Sequence, residues 1–317
     1  MVGICRSDLR EISGTRYERR DFGHEIAGTV FAAPPALADL HGRTVLFDPH
    51  PALTGRTSGF AEIVELTGEP QQLHAALVPV PAGLPDRIAV FGEPLACAVH
   101  CVTRMHEVTA ELAIDPHSPI AVVGAGMAGT LISAVLTAQR HRCVLVNRKS
   151  ERIEFLRDRR ALPPEMLRPV PRHTQFNRVV LATAAATPDY LVTCRRMLAD
   201  AGALLIFAGT QPGSCYLHGI DIDPVRRNQL ARTVHGNGRY YTVAGTYGAT
   251  RADFLAALSL LSQPSGTDGW SLATCAQRLT TRIVGLAEAA DCLTASAVGG
   301  VLGKTIVQIH PAIHRES

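Results

Sequence analysis

The chain has 317 residues, too many for one ordinary domain of roughly 100–200 residues and enough for two, each with its own core. A composition that is 46% apolar and 19% charged, with 27 Gly and 20 Pro, is that of a packed globular protein and excludes disordered and collagen-like classes. Formal net charge is +3, from 31 basic and 28 acidic residues scattered along the chain, so no basic stripe points to nucleic acid.

From residue 1 to about residue 94, short extended runs at 26–31, 44–47, 61–66 and 77–80 are punctuated by Gly and Pro and predict antiparallel β structure. A helix is predicted over 97–104. The texture then alternates, with strands at 120–123, 143–147, 179–182 and 203–207 and helices at 127–140, 150–160 and 188–200. That alternation specifies βαβ crossovers and a parallel sheet covered on both faces. A strand at 240–243, helices at 252–261 and 286–294 and a strand at 305–309 complete the chain, without internal repeats.

Residues 119–138 are apolar over about the ~20 residues of a membrane span, yet Gly124, Gly126 and Gly129 after a strand-like start suit a nucleotide-binding turn, and no membrane association is expected. Arg6, Asp8, Arg10 and Glu11 interrupt any secretory apolar core. The eight cysteines, at 5, 97, 101, 143, 194, 215, 275 and 292, are too sparse and irregular for a disulfide framework, which makes a reducing cytoplasm the expected location. Only Lys149 and Lys304 are lysines, an Arg bias that reads as genome composition.

Gly124-Ala-Gly126-Met127-Ala128-Gly129 is G-x-G-x-x-G between a predicted strand and a predicted helix. The first Gly makes a tight turn, the second lets backbone approach a pyrophosphate, and the third lets helix and strand pack closely. The helix N-terminus offers N–H groups and partial positive charge to that pyrophosphate. A glycine-rich core turn or a methyl-donor site would use the same pattern. An NAD site also wants an acid at the end of the second strand. Here that strand runs into Asn147, Arg148 and Lys149 with no acid before Glu151. Asn147 can hydrogen-bond a ribose and the two cations can neutralise a 2′-phosphate, so NADP(H) is expected over NAD(H).

Cys5-Arg6-Ser7-Asp8, Gly23-His24-Glu25 and Glu93-Pro94 carry metal-ligating residue types, although singly they could be a core thiol and a loop histidine. The stretches 2–8, 23–29 and 92–100, the glycine fingerprint and 303–307 run in one order over nearly the whole chain. In that order they resemble the medium-chain dehydrogenase/reductase superfamily, specifically its zinc-dependent alcohol, polyol and threonine dehydrogenase branch. The resemblance implies an α/β fold in which a Rossmann doubly wound parallel sheet at 95–245 is inserted in a GroES-like β-rich catalytic domain at 1–94 and 246–317.

It also implies one catalytic zinc held by Cys5, His24 and Glu93, with Glu25 behind them or exchanging onto the metal. Tetrahedral S, N and O ligation with one open position is zinc chemistry. By the same resemblance Ser7 takes the alcohol proton, Asp8 orients His24, and Arg6 faces the cofactor pyrophosphate. The implied reaction is oxidation of a secondary alcohol, or reduction of the ketone, on a polyol, cyclitol, sugar or amino alcohol by a homo-oligomer, dimer or tetramer. Two alternatives stay open: a zinc-free enone or quinone reductase of the same superfamily, and a nucleotide-binding protein without turnover.

The chain departs from the family at several points. Arg10 stands where many members carry the histidine that ends the proton relay, and Arg cannot shuttle protons near neutrality. No cysteine lies between Arg43 and Glu69, so a structural zinc is not expected. The chain begins where the family's second or third strand stands, and 159–177 looks short enough to lack a helix or strand of the nucleotide domain. Cys97, His100 and Cys101, at helical spacing, read as core rather than a second metal site. Gly303-Lys304-Thr305 lacks the first glycine of a phosphate loop. Tyr240 and Tyr241 read as strand residues, and 221–228 as a loop near substrate or a subunit contact.

Overall fold

A computed structural model describes residues 1–12, 22–236, 238–266, 269–298 and 301–309. The chain divides into two compact units: Met1–Ala96 with Thr250–Pro264 and Ala276–Ser317, and Cys97–Ala249 with Ser265–Cys275. The segment 265–275 thus groups with the second unit.

The first unit is built on a six-stranded sheet in the order Thr280–Gly285, Lys304–Gln308, Val2–Gly3, Glu25–Thr29, Thr44–Phe47, Leu77–Pro79. Neighbours are antiparallel except the parallel pair formed by Thr280–Gly285 and Lys304–Gln308. The two-residue strand Val2–Gly3 joins the chain's ends: Gly3 is level with Glu25 on one side and Ile306 on the other. Val2, Ile4, Val284, Leu293 and Val307 bury one face of this junction. The run expected to be extended at 61–66 forms a strand only at Leu66–Thr67, which pairs with Gly55–Arg56. Gly59 docks instead on the Gly23 turn, its N–H bonded to Phe22 O at 3.0 Å.

The second unit carries a sheet in the order Ala231–Gly236, Arg239–Gly245, Leu198–Ile206, Phe176–Leu181, Ile120–Val123, Cys143–Val146. All pairs are parallel except the first, a hairpin. The central strands are near-continuous apolar runs because helices cover both faces; Ile120, Val122, Val179, Leu204 and Ile206 are at most 1% exposed. Cys143–Val146 forms the far edge, and between Asp158 and Phe176 the described residues add one 3-10 turn, Pro164–Leu167, and no strand. Residues 119–138 are not one helix: strand Ile120–Val123 turns at Gly124 into helix Met127–Ala138, which is buried from Gly129 to Leu136. The stretch Asp86–Glu111 is long and apolar enough to span a membrane by length and composition, but 72% of its most apolar window is buried inside the protein.

Candidate metal and dinucleotide sites

In the first unit, Cys5 precedes the short helix Arg6–Ile12, and His24 and Glu25 open the strand Glu25–Thr29 after a turn at Gly23, whose φ of +80° suits glycine. The ligand atoms of Cys5, His24 and Glu25 all lie within 4.8 Å of one another, and no other such group occurs among the described residues. Donors around a tetrahedral zinc with bonds of about 2.0–2.3 Å stand about 3.5 Å apart, so small side-chain movements close this set on an ion.

Asp8 organises the donors. It is 0% exposed, Oδ2 accepts from the Cys5 backbone N–H at 2.8 Å, and Oδ1 accepts from the Gly23 N–H at 2.9 Å. Oδ1 also stands 3.2 Å from His24 Nδ1, which leaves Nε2 as the ligating nitrogen. Ser7 Oγ lies 3.0 Å from Cys5 Sγ and 3.3 Å from His24 Nε2, touching both candidate donors. Arg6 is exposed at the start of its helix.

Burial works against the charged forms of both donors, and each favours the charged form of the other. Burial pushes the Cys5 thiol up, and the hydrogen bond and charge of His24, with Lys304, more than reverse this, so the thiol sits below its ordinary value. Burial likewise pulls His24 down, but Asp8, Cys5 and Glu93 lift it well above the ordinary imidazole value. Cys5 is distinct from the buried thiols in this: burial drives Cys143 and Cys194 up to about 12.

The two carboxylates expected here stand differently. Glu25 is 2% exposed and pairs with Lys304 Nζ, which also donates to Ile4 O at 3.1 Å. Burial draws Lys304 down to about 8 against the negative charge of Cys5 and Asp8. Glu93, 7% exposed in the first turn of helix Gly92–Glu111, acts on His24 electrostatically but lies outside the 4.8 Å set. Lys304 is the residue that sequence reasoning missed. Its signal was present, since it is one of two lysines and follows a glycine in a matching stretch, but its partner lies 279 positions away. Gly3 makes room for the pair, because a Cβ there would lie 2.2 Å from Glu25 Oε2. His100 bonds Gln229 Oε1 at 2.7 Å and Cys101 is fully buried, so neither belongs to a metal set.

Replacing Asp8 with asparagine leaves one acceptor oxygen for two backbone donors and turns an amide NH2 toward N–H groups. Zinc affinity is expected to fall about 10–100-fold, read by competition with a chromogenic chelator.

In the second unit, Gly124 has φ +115° and its N–H donates to Val146 O at 2.7 Å. Gly126, the residue before helix Met127–Ala138, has open space where a Cβ would stand, and no side chain caps the helix. The first-turn N–H groups of Met127, Ala128 and Gly129 therefore face that space as an anion cradle. Asn147 braces the turn: Oδ1 accepts from Ala125 N–H at 3.0 Å and Nδ2 donates to Lys149 O at 2.8 Å. Arg148 and Lys149 are exposed beyond the strand end, and the Arg148 guanidinium lies 5.7 Å from the Tyr190 ring centre. The residues present fit a dinucleotide phosphate backbone, with two cations where a 2′-phosphate would be neutralised.

No family model and no curated protein matches the chain. Solved structures do. Galactitol-1-phosphate dehydrogenase from Escherichia coli matches at 18% identity and TM-score 0.65, over 96% of this chain and 89% of that one. TarJ of S. aureus in complex with NADPH matches at 14% and 0.67, over 98% and 89%. 2R,3R-butanediol dehydrogenase from Bacillus subtilis matches at 18% and 0.62, over 97% and 90%. The chain shares the fold of these dehydrogenases, with a Rossmann-like parallel sheet in one unit and a GroES-like β sheet in the other.

Proposed function

We propose that this protein is a zinc-dependent, NADP(H)-preferring oxidoreductase that interconverts a secondary alcohol and its ketone on a polyol, sugar, cyclitol or amino alcohol. The observation that carries the reading is the Cys5–His24–Glu25 donor set within 4.8 Å, oriented by buried Asp8, in a chain that also holds an open glycine cradle. Glycine-rich turns alone would serve a binding protein; a thiolate, an imidazole and a carboxylate held together are what metal-assisted chemistry adds. Structural neighbours named as galactitol-1-phosphate and butanediol dehydrogenases favour polyol-like substrates.

When bound, zinc supplies Lewis-acid polarisation of the substrate oxygen and the nicotinamide supplies or accepts hydride. The protein's own groups do the rest. Cys5 and His24 Nε2 would hold the metal, Glu93 would have to close in from outside the 4.8 Å set as the third ligand, and Glu25, paired with Lys304, would be the exchangeable one. Asp8 keeps His24 in the tautomer that leaves Nε2 free to ligate. Ser7 Oγ, touching both donors, takes the alcohol proton, which leaves through water because Arg10 holds the relay position. Two cytoplasmic copies or more assemble, as the resembled family does.

Zinc content and a cofactor titration on one preparation test the reading; one zinc per chain with micromolar NADPH binding is the expected result. Arg148→Ala should raise the NADPH Michaelis constant about 10–100-fold, the worth of a hydrogen-bonded charge, and leave that for NADH unmoved. Equal NADH and NADPH constants in the unmodified protein would overturn the cofactor preference.

A further inference from the structure

A cluster of buried basic side chains with unpartnered nitrogens lies in the second unit at the end of the sheet away from the glycine turn. Arg178 is 0% exposed and is level with Ile120, the first residue of Ile120–Val123, whereas Gly124 follows the last. About 13 Å of strand separates the two ends. Arg178 Nη2 donates to Pro116 O, at 2.9 Å, and to Ser118 O. Its Nε and Nη1 are buried and have no hydrogen-bond partner.

Helix Gly92–Glu111 brings His106 to the same place. Its Nε2 is also buried without a partner, and its ring centre lies 4.6 Å from that of His141, which stands just before strand Cys143–Val146. Burial, then His141 and Arg178, press His106 down to about 4, and Arg178 and His117 act in the same sense on His141, after burial. The acid that acts on Arg178 is Asp115, exposed on the 112–119 connection and accepting from the His117 N–H at 2.9 Å.

A guanidinium does not deprotonate in proteins, and unpaired buried donors cost about 1–3 kcal/mol each, more when charged. Carbonyls of Pro116 and Ser118 satisfy two N–H groups but not the charge. Water would satisfy the remaining donors and still leave the buried guanidinium charge unbalanced. A metal cation is excluded beside Arg178. What meets every donor and balances the guanidinium charge is an anion with several acceptor oxygens.

We infer that Arg178 Nε and Nη1, with His106 Nε2, form a binding site for a small oxyanion such as inorganic phosphate, separate from the dinucleotide cradle.

The test is a titration of the full chain with inorganic phosphate at constant ionic strength, with and without saturating NADPH, followed by thermal midpoint and by the ring resonances of His106. A saturable rise in midpoint that persists with NADPH present is expected, together with an upward move of the His106 apparent pKa by about a unit or more. His106→Asn and Arg178→Met should each weaken the phosphate response at least tenfold. If Arg178→Met does not fold, His106→Asn and the resonances of the unmodified protein decide. No midpoint rise, a rise that chloride reproduces, a rise that NADPH abolishes, or an undiminished response in His106→Asn would each overturn the assignment.

Discussion

Cys5→Ala is expected to yield a folded protein without stoichiometric zinc and with turnover lowered about a thousandfold or more, since metal polarisation of a substrate oxygen is worth several kcal/mol. The reason is local. Cys5 is the thiol whose charged form the surroundings favour, through the hydrogen bond and charge of His24 and the charge of Lys304. The other cysteines cannot substitute: Cys97 lies outside any metal set, and Cys101, Cys143, Cys194, Cys215, Cys275 and Cys292 are buried. Loss of the thiolate also leaves Lys304 and His24 with less compensating charge, so a modest fall in thermal midpoint accompanies the loss of metal. Metal analysis and turnover on a panel of polyols and their ketones check the result. A variant that keeps one zinc per chain would remove Cys5 from the ligand set, and a wild-type protein without zinc would favour the zinc-free reductase.

Much of this site was legible in the sequence because it rests on short segments whose residue types are constrained together: Cys5, Ser7 and Asp8 on one turn, His24 and Glu25 on one strand start. Strands 120–123 and 44–47 coincide with their predicted bounds because each is a buried apolar run ended by a turn residue. Other elements were not legible for physical reasons. Strand Ala231–Gly236 exposes Arg232, Thr233 and His235 and buries only Val234, so its polar edge hides it from a hydrophobic pattern. Helix Arg6–Ile12 is too short for a periodic signal and carries charged residues that read as loop. Arg178 was placed before its strand because a charged residue reads as exposed, whereas the strand begins at Phe176 and buries it completely. The Lys304–Glu25 pair joins opposite ends of the chain, and only the meeting of Gly3, Glu25 and Ile306 in the sheet makes it visible.

The glycine turn permits a sharper separation of fold from function than the metal site does. Gly126→Ala should leave the thermal midpoint nearly unchanged, because φ at Gly126 is −79° and a Cβ there meets nothing within 4 Å. The same methyl intrudes on the space where a pyrophosphate approaches the backbone, and a forced contact of that kind costs roughly 1–3 kcal/mol, so NADPH affinity should fall about 10–100-fold. Gly129→Ala behaves oppositely. Its Cβ would lie 1.8 Å from Gly124 O and 3.0 Å from Gly124 C, backbone atoms that cannot rotate away, with Ala182 Cβ behind them at 3.5 Å. Helix Met127–Ala138 must then lift off strand Ile120–Val123, at about 3 kcal/mol or more. In a unit of this size that lowers the midpoint by roughly 6–12 °C. Calorimetry and a fluorescence titration of NADPH on both variants read the two effects separately. A destabilised Gly126→Ala, or a Gly129→Ala as stable as the parent, would mean that the turn is not packed as described. A stable Gly126→Ala that binds NADPH undiminished would instead place the cofactor phosphates away from this helix N-terminus, and the dehydrogenase reading would fail with them.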